Sequence, residues 1–130
     1  MDDDPRQVAQ AIIDRIDDAW ENEGSVPPDV LTEEALYTNM AGRFFRGWRD
    51  IVEGTRDVKA TFKTRVTSRE LVDAKRLAEG VILAHVVSTA IIPEGPRSGE
   101  SAGHQLYVIV WDTNAWRVAA YQNTRIAAPP

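Results

Sequence analysis

The sequence predicts an α+β domain in which a strongly curved antiparallel sheet wraps around helices and encloses an apolar pocket. Three observations predict it. Two amphipathic helical stretches fall in the first half of the chain. Alternating, β-branched segments fill the second half, from about residue 64 to 126. Two of those segments are apolar on both faces. Helices segregated in this way from an antiparallel sheet define the α+β class.

The elements follow in order. Asp4 before Pro5 is a helix start, with a carboxylate at the N-cap and proline in the first turn. Val8, Ile12, Ile16, Ala19 and Trp20 then recur at helical spacing, and Gly24 supplies the stop, which gives a first helix over 4–23. Asp14, Asp17 and Asp18 read as solvated charges on it. Pro27-Pro28 break the chain and open a short helical turn. Ala35 to Met40 reads as a strand, Ala41-Gly42 as a turn, and Phe44-Phe45-Arg46 as the returning strand. The stripe of Ile51, Thr55, Val58 and Phe62 predicts a second helix over 48–62, although Gly54 weakens it by about 1 kcal/mol relative to alanine. A four-strand antiparallel meander is expected over 64–126, its strands separated by Lys75–Gly80, the irregular loop Pro93–Gly99, and the turn Thr113-Asn114. Ala127–Pro130 reads as a frayed tail.

Size and composition narrow the function classes. The 130 residues suit one domain, with 43% hydrophobic and 27% charged residues as in ordinary globular chains. A net charge of −5, with the arginines scattered, argues against a nucleic-acid partner, which needs a basic face. The absence of cysteine removes disulfides, thiolate catalysis and cysteine-based zinc sites. The start lacks the basic and apolar regions of a secretory signal, and Val81–Ile92 is too short and too polar to span a bilayer. The expectation is a cytoplasmic protein without membrane contact.

The strand faces carry the functional reading. Strict alternation in the last strand puts Trp116, Val118, Ala120, Gln122 and Thr124 on the interior face, with Asn123 outward. Val81–Ile92 and His104–Asp112 are apolar on both faces, which leaves the orientation of His85 open. A sheet in a small monomer is wet on one side, so the outer face is expected to be covered by a second copy.

Two segments resemble a known family. Asn39-Met40-Ala41-Gly42-Arg43-Phe44-Phe45-Arg46-Gly47 and Ala115-Trp116-Arg117-Val118-Ala119-Ala120-Tyr121-Gln122-Asn123-Thr124, together with the element order, resemble the SnoaL-like branch of the nuclear transport factor 2 superfamily, more narrowly its SgcJ/EcaC group. The resemblance runs from about Val8 to Ile126. It implies a cone-shaped sheet around a cavity, dimerisation through the outer sheet face, and a place in polyketide biosynthesis, including enediyne pathways. Relatives include cyclases, isomerases, dehydratases and non-catalytic binding modules. The chain departs from catalytic relatives in having no carboxylate along Leu36-Tyr37-Thr38-Asn39. The oxidoreductase label carried by that group lacks a Gly-x-Gly-x-x-Gly fingerprint here.

Candidate residues follow from both readings. His85 suits general acid–base work if it faces the pocket; otherwise it is a core or dimer-face imidazole. Tyr37 is the second catalytic candidate, as a donor to a substrate carbonyl. Asn39 shares its face, and both residues have an alternative role in the hairpin. Trp48, Phe62, Tyr107 and Gln122 complete the expected lining of a pocket for a hydrophobic small molecule. His104 reads as an exposed strand-end residue. Two histidines without nearby acids make no metal site, and no cofactor is expected.

Overall fold

The computed structural model describes residues 3–126; the expected tail at 127–130 lies outside them. The order is helix α1 (Pro5–Asn22), a 3-10 turn (Pro28–Val30), strands β1 (Leu31–Thr38) and β2 (Phe44–Arg46), helix α2 (Gly47–Phe62), and strands β3 (Arg65–Ala78), β4 (Val81–Ile92), β5 (Gly99–Asp112) and β6 (Ala115–Arg125). These bounds agree with the sequence reading to within a residue or two for the helices. β3 and β5 are longer than expected, because the connection at Lys75 and the start of the loop strand at Gly99 are themselves paired.

Local chemistry explains the helix ends. The Asp4 carboxylate accepts from the Arg6 amide at 3.1 Å, and Gly24 takes φ +76 just past the end of α1. Helix α2 ends on Lys63 at φ 52, a left-handed position filled without glycine.

All six strands form one curved, unclosed sheet in the order β2-β1-β6-β5-β4-β3. The expected hairpin and meander are antiparallel. The contact that joins them is parallel: β1 runs beside β6, with Tyr37 opposite Tyr121. Helices α1 and α2 lie on the concave face. The core between the layers contains Ile13, Ile16, Ile51, Ile82, Val86, Tyr107, Ile109 and Val118, all almost wholly buried.

Bulges set which residues reach that core. In β6, Ile109 pairs with Val118 but Val108 pairs with Ala120, so Ala119 is an extra residue and the alternation inverts beyond it. Tyr121 and Asn123 therefore turn inward, while Gln122 and Thr124 turn out, the reverse of the sequence expectation. In β3, Thr67 is the extra residue and brings Arg69 opposite the buried Ser88. Extra residues on one strand also bend and twist it, which curves the sheet around the cavity.

Candidate functional site

The concave face and the two helices enclose a cavity of about 670 Å³. Its apolar wall includes Trp20 of α1, Phe45 of β2, and Val58 and Phe62 of α2. Its polar side comes from the sheet: Tyr37, Arg69, Gln105, Tyr121 and Asn123. Arg97, Glu100 and Arg125 stand at the rim. No helix among the described residues is long and apolar enough to cross a membrane.

A row of four rings crosses four strands. Phe45 stacks on Tyr37 at 5.5 Å, Tyr37 on Tyr121 at 4.0 Å, and Tyr121 on Tyr107 at 5.0 Å. The row exists because the three strand pairings place these residues directly opposite one another. Burial raises the pKa of all three tyrosines above the ordinary value, so each hydroxyl stays neutral and able to donate at physiological pH.

Those hydroxyls have different fates. Tyr107 donates to Gln105 Oε1 at 2.7 Å and accepts from Arg69 Nη1 at 3.3 Å. Tyr121 is buried, yet its hydroxyl finds no partner among the described residues. Tyr37 also makes no hydrogen bond there, and it lines the cavity. A buried polar atom left unpaired costs about 1–3 kcal/mol, and Tyr121 carries that cost beside the cavity its side chain lines. The Asn123 Oδ1 is in the same condition; its side chain lies over Gly103, where a Cβ would collide with it.

Arg69 has a 7% exposed side chain and pairs with Asp17 at 2.8 Å, Nε to Oδ1. The two atoms are close, but the N–H is not aimed at the oxygen, so the pairing is ionic rather than a formed hydrogen bond. Asp17 is thus not the solvated helix charge expected from sequence. Burial pushes its carboxyl above the usual range, with Arg69 pulling the other way.

The sequence candidates separate into those the cavity gathers and those it does not. Tyr37, Asn39 and Phe62 line it. Asn39 is committed elsewhere by its oxygen, which accepts from the amides of Ala41 and Arg43 and holds the turn. Tyr107 lies beneath the lining at 1% exposure, with its hydroxyl bonded to Gln105. Trp48 packs against the core with Arg49 over its ring, away from the cavity. Gln122 is exposed on the outer face, a correction whose cause is the Ala119 bulge.

His85 also faces outward. Its strand neighbours Ala84 and Val86 are fully buried, which fixes the opposite face as the outer one. There its Nε2 lies 2.7 Å from Nδ1 of His104, across β4 and β5. The structure brings the two histidines together, but outside the cavity. Among the described residues no three histidine or acidic side chains are grouped to hold a metal. The residues the sequence reading missed are Arg69, Gln105, Tyr121 and Asn123. Three of them sit beyond a bulge. Gln105 carried a signal, since it alternates with Tyr107 and Ile109 on one face of β5.

No protein-family model and no curated protein matches the sequence. Solved structures do match it in shape. A cystatin-like-fold domain of unknown function from Nostoc punctiforme PCC 73102 superposes with a TM-score of 0.79 at 23% identity, covering 95% of this chain and 78% of that one. A ketosteroid isomerase-like protein from Erwinia carotovora atroseptica SCRI1043 gives 0.77 at 13% identity, covering 98% and 100%. An NTF2-like protein from Cytophaga hutchinsonii ATCC 33406 gives 0.72 at 15% identity, covering 95% and 100%. The chain therefore has the cystatin-like fold of NTF2-like proteins.

Proposed function

We propose that this protein binds a largely apolar small molecule carrying a carbonyl or carboxyl oxygen, of the polyketide type handled by the SnoaL-like branch it resembles. One observation carries the reading: a buried tyrosine hydroxyl, that of Tyr121, finds no partner among the described residues, and its side chain lines a cavity of about 670 Å³. That volume lies in the range of small-molecule sites, roughly 300–1,000 Å³. Apolar rings form one wall and neutral donors the other, which suits a molecule with a greasy body and a polar end.

The donor pair also favours a second reading, an isomerase- or cyclase-type catalyst. Tyr37 and Tyr121 stack at 4.0 Å, so two phenols face one region and could polarise one carbonyl. Proton abstraction needs a base, and the one carboxylate among the described lining residues is the exposed Glu100 at the rim. The geometry therefore supports binding and polarisation ahead of turnover.

Native mass spectrometry of the protein purified from its own host is the test. A bound small molecule whose retention falls in Tyr121→Phe supports the reading. Release of that molecule unchanged identifies a carrier, and its conversion on incubation identifies an enzyme. Failure to retain any such molecule, together with failure to bind aromatic ketones in solution, refutes it.

A further inference from the structure

A chain of four polar side chains runs from α1 into the wall of the cavity. Asp17 pairs with Arg69, Arg69 donates to the Tyr107 oxygen, and Tyr107 donates to Gln105 Oε1 at 2.7 Å. Each link dictates the direction of the next. A guanidinium has donors only, so its contact occupies a lone pair on the phenol oxygen. The Tyr107 proton must then point to an acceptor, and at 1% exposure the acceptor it meets is Gln105 Oε1.

That fixes the amide. A glutamine side chain is normally free to invert, because its oxygen and nitrogen have nearly the same shape. Here the oxygen is held, so Nε2 is turned away from Tyr107. Gln105 is 5% exposed and borders the cavity, and no acceptor among the described residues receives its N–H groups. The fixed charge of Arg69, paired with Asp17, polarises the hydrogen bonds that follow it.

We propose that Gln105 Nε2 is a ligand-binding donor, aimed by the Asp17–Arg69–Tyr107 chain, and that the ligand presents an acceptor oxygen, carbonyl or carboxylate, to it. This rests on the reading of the cavity as a small-molecule site. Tyr107 and Arg69 are positioning residues: they act on the ligand through the orientation they impose on Gln105. The cavity thereby selects for an oxygen at a defined place and not merely for apolar bulk.

The test compares two probes of the same shape, 2-acetylnaphthalene and its hydrocarbon isostere 2-isopropenylnaphthalene, by fluorescence titration. The wild type is expected to favour the ketone by about threefold to tenfold, the usual yield of one neutral hydrogen bond. Gln105→Met is expected to cut that preference severalfold while hydrocarbon affinity stays. Tyr107→Phe, which frees the amide to invert, is expected to reduce the preference without changing Gln105 itself. The infrared carbonyl stretch of isotopically labelled ketone bound to wild type should fall below its value in hydrocarbon solvent, a readout that requires no variant. Equal affinity of the two probes for the wild type, an unshifted stretch, or a full ketone preference in folded Gln105→Met overturns the proposal. Binding of neither probe instead refutes the small-molecule reading of the cavity.

Discussion

Replacing Gly54 by alanine should destabilise this protein, although the same change stabilises most helices. In an exposed helix interior Gly→Ala gains about 1 kcal/mol. Gly54 is buried in the middle of α2 against Phe45 of β2. A Cβ there would run into Phe45 Cε1 and lie 2.6 Å from Cδ1 and 3.0 Å from Cζ, where ordinary contact begins at 3.4 Å. The ring must therefore retreat by nearly an ångström or more. It is 1% exposed and stacked on Tyr37, so its only open side is the cavity it lines. Overpacking of this kind costs about 1–3 kcal/mol, which exceeds the helix gain at all but its lower limit. We expect a net loss of up to about 2 kcal/mol, and a melting temperature lower by about 4 °C per kcal/mol at this chain length. Circular dichroism melts of wild type, Gly54→Ala, Phe45→Leu and the double variant close the cycle. The double variant should be more stable than the two single losses predict, by about 1 kcal/mol, because the smaller side chain vacates the space. A raised melting temperature in Gly54→Ala, or strict additivity in the cycle, would refute the close-contact argument.

Three further outcomes are expected. The chain has three tyrosines, Tyr37, Tyr107 and Tyr121, and burial raises the pKa of each. Their contribution to stability is whole below the unfolded tyrosine pKa of about 10 and is lost as pH rises above it, because the unfolded chain releases protons that the fold retains. Ultraviolet phenolate absorbance should thus appear together with the loss of circular dichroism, and a tyrosine titrating normally in the folded protein would contradict the burial. His85→Ala should leave ketone binding unchanged in the same fluorescence titration, since His85 faces away from the cavity; a weakened affinity would put its imidazole in the site. The outer face carries half-exposed Leu106 beside the two histidines, on strands whose outward residues also include Leu83, Val87, Val108 and Val110. We expect a second copy to cover it, so sedimentation velocity should show a dimer that Leu106→Arg converts to monomer, and a monomeric wild type would remove this face as a self-association surface.

Legibility in the sequence followed the range of the interactions. Helix bounds were readable because they depend on neighbours in the chain: the Asp4 cap, the Pro5 start and the Gly24 stop are each local. The hairpin and the meander were readable for the same reason, since each strand pairs with the next. The parallel pairing of β1 with β6 joins residues more than eighty positions apart, and no local pattern announces it. That pairing builds the ring row, so Tyr37 could be singled out while its partner Tyr121 could not.

The bulges explain the remaining misses, and they also explain why the site is where it is. Period-two reasoning assigns faces by parity, and a single extra residue reverses every assignment beyond it. Ala119 does this for the rest of β6, and Thr67 does it in β3 as far as the next extra residue, Val72. Strict parity would have placed Gln122 and Thr124 inside and left Tyr121, Asn123 and Arg69 in water. Beyond the bulges the interior instead receives one orphaned hydroxyl, one amide and one charge, none of which a core built only for stability would favour. Arg69 is tolerated because Asp17 offsets its charge and Tyr107 accepts its hydrogen bond; Tyr121 has no such partner among the described residues. Inverting the tip of β6 to put Gln122 inside would have satisfied parity while removing the Tyr37–Tyr121 stack. The extra residues Thr67 and Ala119 thus cost regular pairing where they stand and gather the polar groups on one side of a cavity whose other side is apolar. The same local irregularity that defeats a sequence reading is what gives the cavity its chemical character.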